Sequence, residues 1–324
     1  PEAKLNPKLF DKDVEQAPTR DGYGRGLVEA GEKDERVVVL CADLTESTRA
    51  LWFQEKFPER FIEIGVAEQN LAAVASGLAN YGKIPFISSY AAFSPGRNNE
   101  QIRTTIALNN VNVKIAGAHA GISVGPDGAT HQALEDMALM RVMPRMHVIY
   151  PCDALEARKA TLAASRMKGP VYLRFARAGT PQFTTEKTPF QMGKAEVFYE
   201  GKDVTIVSCG PLVYEAMLAA HELEKKNISV EVINNHTVKP LDADTILQSL
   251  KKTKALVTVE EHQVAGGMGS AVCEMLAQRF PVPVEIVGIK DRFGESGEPR
   301  ELWDAFELSS PHIIKAVQRV LKRK

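Results

Sequence analysis

The sequence predicts an α/β protein, with a parallel sheet covered by helices followed by a second, smaller α/β unit. Three observations carry this expectation. From Val37 onward, short β-branched runs alternate with stretches of helical period, the pattern of a parallel sheet with helices on its faces. That rhythm stops once, across residues 178–193, where Gly179, Pro181, Pro189 and a scatter of Thr read as an extended linker. A chain of 324 residues is also long enough for two domains, at ~150 residues each. The expected division is a first domain over 1–187, including an N-terminal extension and the linker, and a second over 188–324.

No element is assigned before Val37. Strands are expected at 37–43, 61–65, 84–90, 111–119, 147–151 and 170–176, each short, rich in β-branched or apolar residues and bounded by polar or glycine positions. Between them, helical period places helices at 47–57, 67–81, 98–109, 132–143 and 153–168. The last has Asp153 to cap its start and Gly169 just past its end. After the linker the alternation resumes with a strand at 204–209 and a helix at 212–226. Further segments follow at 229–234, 242–252, 255–260, 269–280 and 282–289, and a C-terminal helix spans 311–324.

Composition narrows the function. Hydrophobic residues make up 44% and charged residues 25%, as in folded globular chains and unlike disordered ones. Forty Lys and Arg against forty-one Asp and Glu leave a net charge of −1, so the long-range attraction that nucleic acid or an anionic membrane requires is missing. Cys41, Cys152, Cys209 and Cys273 lie far apart with no CxxC pair, which argues against a zinc site or disulfide framework and fits reduced cytoplasmic thiols. Residues 1–18 are too charged for a signal peptide. The Ala-rich run after Glu68 is broken by Asn80, Gly82, Lys83 and Pro85, short of a membrane span.

Four groups of residues could carry chemistry. Ile64-Gly65 runs into Val66-Ala67-Glu68-Gln69-Asn70, so Glu68 falls at the carboxyl end of a strand, where open α/β sheets place ligands. Taken alone, it reads more readily as an acid favoured by a helix macrodipole than as a catalytic group. His119 leads through Gly121, Gly125, Pro126, Asp127, Gly128 and Thr130 to His131 and Gln132, a loop with donors, an acceptor and a titratable pair. It reads equally as a Pro-Asp-Gly turn with Thr130 as N-cap, and its imidazoles and carboxylate suit a polyhydroxylated ligand better than a metal. Ser88-Ser89-Tyr90-Ala91-Ala92-Phe93 offers either core plugs or a stacking platform. Arg20, Ser47 and Arg177 suit a phosphate, although an isolated arginine is more often a surface ion-pair partner. The segment Ala265-Gly266-Gly267-Met268-Gly269-Ser270 lacks the GxGxxG spacing of a dinucleotide loop, and Glu260, Glu261 and His262 before it read as an interface network.

In this order the motifs resemble the C-terminal half of a transketolase, from about Thr19 to the end of the chain. The most specific pieces are Gly65-Val66-Ala67-Glu68-Gln69 and Val124-Gly125-Pro126-Asp127-Gly128-Ala129-Thr130-His131-Gln132, with the strand from Gly169-Pro170 to Arg177. The resemblance implies the pyrimidine-binding domain of thiamine-diphosphate enzymes followed by a transketolase C-terminal domain. It implies that Glu68 activates the cofactor's aminopyrimidine, that Phe93 stacks on it, and that Asp43 belongs to its surroundings. It further implies that His131, as a second catalytic residue, and Asp127 meet substrate hydroxyls. His119, Arg20, Ser47 and Arg177 would surround a sugar phosphate.

The family's Gly-Asp-Gly metal and diphosphate signature is absent from these residues. Thiamine diphosphate and its Mg²⁺ or Ca²⁺ are therefore expected to be held by an N-terminal, diphosphate-binding partner subunit, with this chain self-dimerising in an α2β2 assembly. The expected activity is transfer of a two-carbon ketol unit between sugar phosphates in a cytoplasmic pentose phosphate pathway. Half of a 1-deoxyxylulose-5-phosphate synthase and the β chain of a 2-oxo acid dehydrogenase are related alternatives, disfavoured by the Asp-Gly-Ala-Thr-His-Gln loop and by the missing half. A non-catalytic scaffold or regulatory chain is the alternative of another class. Ser94 to Asn99 departs from the family's more aromatic pattern, so no second stacking residue is expected.

Overall fold

The structure, a computed structural model, describes residues 3–324. All six strands expected before the linker lie in one sheet, in the order His147–Ile149, Val171–Arg174, Lys114–Ala118, Ile84–Tyr90, Val37–Cys41, Phe61–Glu63, all parallel. Val37–Cys41 is buried along its whole length, which is why it reads as an unbroken apolar run rather than an alternating one. A seventh strand, Thr237–Lys239, comes from beyond the linker and pairs antiparallel with His147–Ile149. Three residues with two polar side chains gave no period to detect it by.

The first difference from expectation is a helix over Thr19–Lys33. Four glycines lower its intrinsic propensity, and the sequence alone shows no reason for them. The reason is close approach, of Gly22 and Gly26 to the helix Ala154–Arg166 and of Gly24 and Gly31 to Trp52 and to Phe53 and Phe57. A Cβ on Gly22 would lie 1.8 Å from the Ala154 carbonyl oxygen, and one on Gly26 would lie 2.7 Å from Thr161 Cβ. The helix expected at 67–81 is Glu68–Asn80, while that expected at 47–57 is reduced to Leu51–Lys56. That expected at 132–143 begins only at Asp136 and ends at Arg141, and the 98–109 segment is a short α-turn, Asn99–Gln101, running into a π-helical stretch, Ile102–Ala107.

The linker is extended but anchored. Gly179–Pro181 pairs antiparallel with Gln16–Pro18, and Phe183 is fully buried. Asp153 caps its helix by accepting from Glu156 N at 2.9 Å, and it also accepts from Phe183 N at 3.1 Å and Thr184 N at 2.7 Å. One buried carboxylate therefore starts a helix and fixes the crossing segment.

The second sheet runs Val284–Ile289, Leu256–Gln263, Val204–Ser208, Val230–Asn234, Glu196–Tyr199, with only the last strand antiparallel. Leu212–Glu224 and Ser310–Leu321 cover one face, and Ala243–Thr253 and Met268–Arg279 the other. A further helix, Pro299–Ala305, was not foreseen. A single apolar core runs from Leu40, Ile87 and Ile115 to Val207, Ile233 and Met268, so the two sheets share buried surface. Among the described residues, no helix is long and apolar enough to cross a membrane.

Candidate active site

In a parallel sheet, all strand carboxyl ends lie on one edge. The first sheet delivers Tyr90 and His119 there, the latter in a left-handed conformation at φ 52°. Thr19 Oγ1 accepts from Ala176 N at 2.8 Å, so the start of the first helix is clasped to the end of Val171–Arg174 and Arg20 is held on the side of Arg177. Arg20 Nη1 donates to the Ser47 carbonyl at 2.8 Å and to His119 Nε2 at 3.3 Å. Because a guanidinium only donates, Nε2 is the acceptor and the imidazole proton sits on Nδ1. That Nδ1 and the Arg20 Nε are both buried without a protein partner. Arg177 Nη1 donates to the Val124 carbonyl at 3.0 Å, and Arg49 is held by Asp21 at 2.6 Å.

Burial, reinforced by Arg20, Arg177, Arg49 and His131, pushes the pKa of His119 down to about 2. The ring is therefore a neutral donor at its Nδ1. Its folded pKa lies below the unfolded ~6.5, so its contribution to stability is whole above ~6.5 and is lost as pH falls toward the folded value. In a pH titration by NMR, the His119 ring is expected to stay neutral, with the proton on Nδ1, from pH 8 down to pH 5. A titration midpoint near 6.5 would contradict the geometry.

Tyr90 joins this group to a second one. Its ring stacks on His119 at 3.9 Å and 22° and on Phe93 at 5.8 Å and 27°. His131 meets the Phe93 ring edge-on at 5.3 Å. Arg97 lies over Phe93 at 4.2 Å and donates to Glu68 Oε1 at 3.0 Å. Glu68 is only 5% exposed. It occupies the first position of its helix, where the macrodipole favours a carboxylate. With Val66, Ala67, Gln69, Asn70 and Arg97 it lines an open cavity. Buried Asn98 fixes this wall, donating to the Glu68 carbonyl at 2.9 Å and to Ser94 Oγ at 3.1 Å.

Thr130 does not cap a helix. Its hydroxyl lies 2.9 Å from His131 Nδ1, and the helix begins at Asp136. Asp127 and Asp43 are exposed, and among the described residues no contact joins their side chains to either group. Asp127 has no polar partner among the described residues, and at Asp43 it is the backbone N–H that is engaged, donating to Glu63 Oε1 at 2.8 Å. Sequence reading missed Arg97, Asn98, Arg49 and Asp21. Asn98 and Arg97 lay in the segment already noted as departing from the aromatic pattern, the one signal available.

The loop bearing Asp127 and His131 is seated on the second domain. Ser123 N donates to Glu261 Oε1 at 2.5 Å, and Gln132 Nε2 donates to the Glu295 carbonyl at 2.9 Å. The glycine-rich segment at 265–270 wraps Glu260, whose carboxylate accepts from Met268 N at 2.6 Å and Gly269 N at 2.8 Å. The place where a helix N-terminus would receive a phosphate is thus filled by the chain's own acid, in keeping with a network rather than a dinucleotide loop.

A parallel sheet with a buried glutamate and an aromatic cluster at its carboxyl edge, beside a group of arginines around a neutral histidine, marks the fold as an α/β protein with its polar side chains gathered at one sheet edge. Residues 15–182 match the transketolase pyrimidine-binding domain and residues 193–313 the transketolase C-terminal domain, and the chain belongs to the transketolase family. It is 41% identical over 315 residues to the 6-deoxy-6-sulfo-D-fructose transketolase subunit of Clostridium sp., spanning 97% of this chain and 98% of that one. It is 42% identical over 308 residues to a putative transketolase C-terminal section of Methanocaldococcus jannaschii, spanning 94% and 96%. A solved structure described as a split gene transketolase, inactive β4 tetramer, superposes with a TM-score of 0.89 at 45% identity over 94% of this chain and 98% of that one. The transketolase of Campylobacter jejuni, at 24% identity and a TM-score of 0.82, shares the fold over 98% of this chain and 50% of its own.

Proposed function

We propose that this chain is the C-terminal subunit of a two-chain transketolase, moving a two-carbon ketol unit between sugar phosphates with thiamine diphosphate. It works only with a subunit that holds the cofactor's diphosphate and divalent metal. The observation that carries the reading is the continuity from the Glu68 cavity through Phe93, Tyr90 and His131 to the buried, unpartnered donors of His119 and Arg20. A heterocycle and an anion are each offered what they lack. The two relatives of similar length, named as a transketolase subunit and a C-terminal section, support a division of the enzyme into two chains.

The residues present fit the cofactor's pyrimidine end. Glu68 Oε1 has its one partner in half-exposed Arg97, and the Phe93 ring borders the same wall. When bound, thiamine diphosphate supplies the electron sink that lets a ketose C2–C3 bond break and a new one form. Glu68 holds a proton against the ring nitrogen of the pyrimidine, and Phe93 fixes the plane of the ring. His131, steadied by Thr130, exchanges a proton or a hydrogen bond with a substrate hydroxyl, and exposed Asp127 accepts from another. Arg20 and Arg177 offer their guanidinium forks to the far phosphate, with the Ser47 segment and the His119 Nδ1–H beside them. Asp43, exposed two residues past the end of Val37–Cys41, would belong to the cofactor's wider surroundings rather than touch Glu68 or Phe93 directly.

The test is reconstitution. The chain alone, given thiamine diphosphate and Mg²⁺, is expected to transfer no ketol unit, and adding the diphosphate-binding subunit should start turnover of phosphorylated ketoses. Robust turnover by the chain alone would overturn the two-chain reading. A complex that handles phosphorylated and unphosphorylated donors equally well would overturn the assignment to sugar phosphates.

A further inference from the structure

The wall that carries Glu68 and Phe93 is already engaged by the chain itself. Arg97 Nη1 lies 3.0 Å from Glu68 Oε1, and the Arg97 Cζ lies 4.2 Å from the centre of the Phe93 ring. A flat group with N–H donors, placed over an aromatic ring and bonded to a carboxylate, makes the two contacts that an aminopyrimidine would make in the same place. The ring's other neighbours are Tyr90, stacked at 5.8 Å, and His131, edge-on at 5.3 Å, so Arg97 covers flank that an incoming heterocycle needs.

The two partners differ in freedom. The Arg97 side chain is 52% exposed while that of Glu68 is 6% exposed, so the guanidinium reaches in from solvent toward a fixed acid. The backbone beneath it is tied down, with Arg97 N donating to the Phe93 carbonyl at 2.9 Å and fully buried Asn98 bonded to Glu68 and Ser94. Arg97 can therefore swing outward without moving the wall. A carboxylate so buried is costly without a counter-charge, and a guanidinium supplies one while the site waits.

We propose that Arg97 is a place-holder, occupying Glu68 and Phe93 in the cofactor-free chain and displaced toward solvent when the pyrimidine docks. This rests on the proposed reading that Glu68 and Phe93 receive that ring. It demands opposite effects in two states. Arg97→Ala should lower the Tm of the chain alone by about 1–3 °C, the effect of losing a half-exposed ion pair in a protein of this size. In the complex with the diphosphate-binding subunit, the same substitution should lower the Kd for thiamine diphosphate, measured by calorimetry at fixed Mg²⁺, by about 1.5- to 5-fold, because no ion pair must be broken. Arg97→Lys, which keeps the charge but not the plane, should give a Kd between the two and serves if the alanine variant fails to fold. A Kd that rises or stays unchanged in both variants overturns the place-holder and leaves the function standing. A wild-type complex that binds no thiamine diphosphate overturns both.

Discussion

Replacing Glu68 with Gln should lower kcat of the reconstituted enzyme by about 10²–10⁴-fold, the usual contribution of a positioned proton-transfer group. The substitution changes almost nothing except charge and proton capacity. An amide oxygen can still accept from Arg97, as Oε1 now does at 3.0 Å, and Asn98 bonds the backbone carbonyl, which the substitution leaves untouched. Arg97 is half-exposed, so loss of its ion pair is worth less than ~1 kcal/mol and the fold should persist. On the proposed reading the acid works on the cofactor and not on the sugar phosphate, so KM for the donor should change far less than kcat. Steady-state kinetics together with circular dichroism melting check this, and a folded Glu68→Gln enzyme with near-normal kcat would remove Glu68 from the chemistry.

The features legible in the sequence were those set by local pattern. Val37–Cys41 reads as a buried parallel strand because every side chain is apolar, and Asp153 reads as a cap because its neighbours supply the rest of the signal. Once the strands are placed, their shared carboxyl edge explains why Arg20, Ser47 and His119 meet although they are scattered along the chain. Features set by a distant surface were not legible. The helix Thr19–Lys33 hides behind glycines that make room for Ala154, Thr161, Trp52 and Phe53, and Thr237–Lys239 becomes a strand only because His147–Ile149 offers an open edge. The linker's composition indicated extension correctly, but its burial depends on Asp153, one helix away. Arg97 was invisible as a partner of Glu68 because 29 residues separate them and only the turn after Phe93 brings its side chain back.

Arg174→Ala should destabilise the chain by about 3–5 kcal/mol, the range for breaking a buried pair by removing one member. Arg174 is fully buried, and its guanidinium donates to Asp136 at 2.8 and 3.2 Å, to the Ala133 carbonyl at 3.1 Å and to the Glu261 carbonyl at 3.0 Å. It thereby joins the last central strand, the segment after His131 and a strand of the second sheet. Burial alone would raise the pKa of Asp136, and Arg174, aided by His262 and by hydrogen bonding from Tyr172, brings it below its usual range. Without the guanidinium, the burial effect is left with much less opposing it and the acid resists ionising in the folded state. A carboxyl whose folded pKa is raised loses stability as pH rises through that value, so the variant's deficit should be smaller at pH 5 than at pH 7.5. Urea unfolding at both pH values measures this. Asp136→Leu combined with Arg174→Leu, which leaves no unpaired charge, should recover much of the loss. A deficit below ~1 kcal/mol, or one that does not depend on pH, would mean that the shared apolar core and the other cross-links, such as Ser123 to Glu261 and Gln132 to Glu295, hold the two parts without a contribution from this pair.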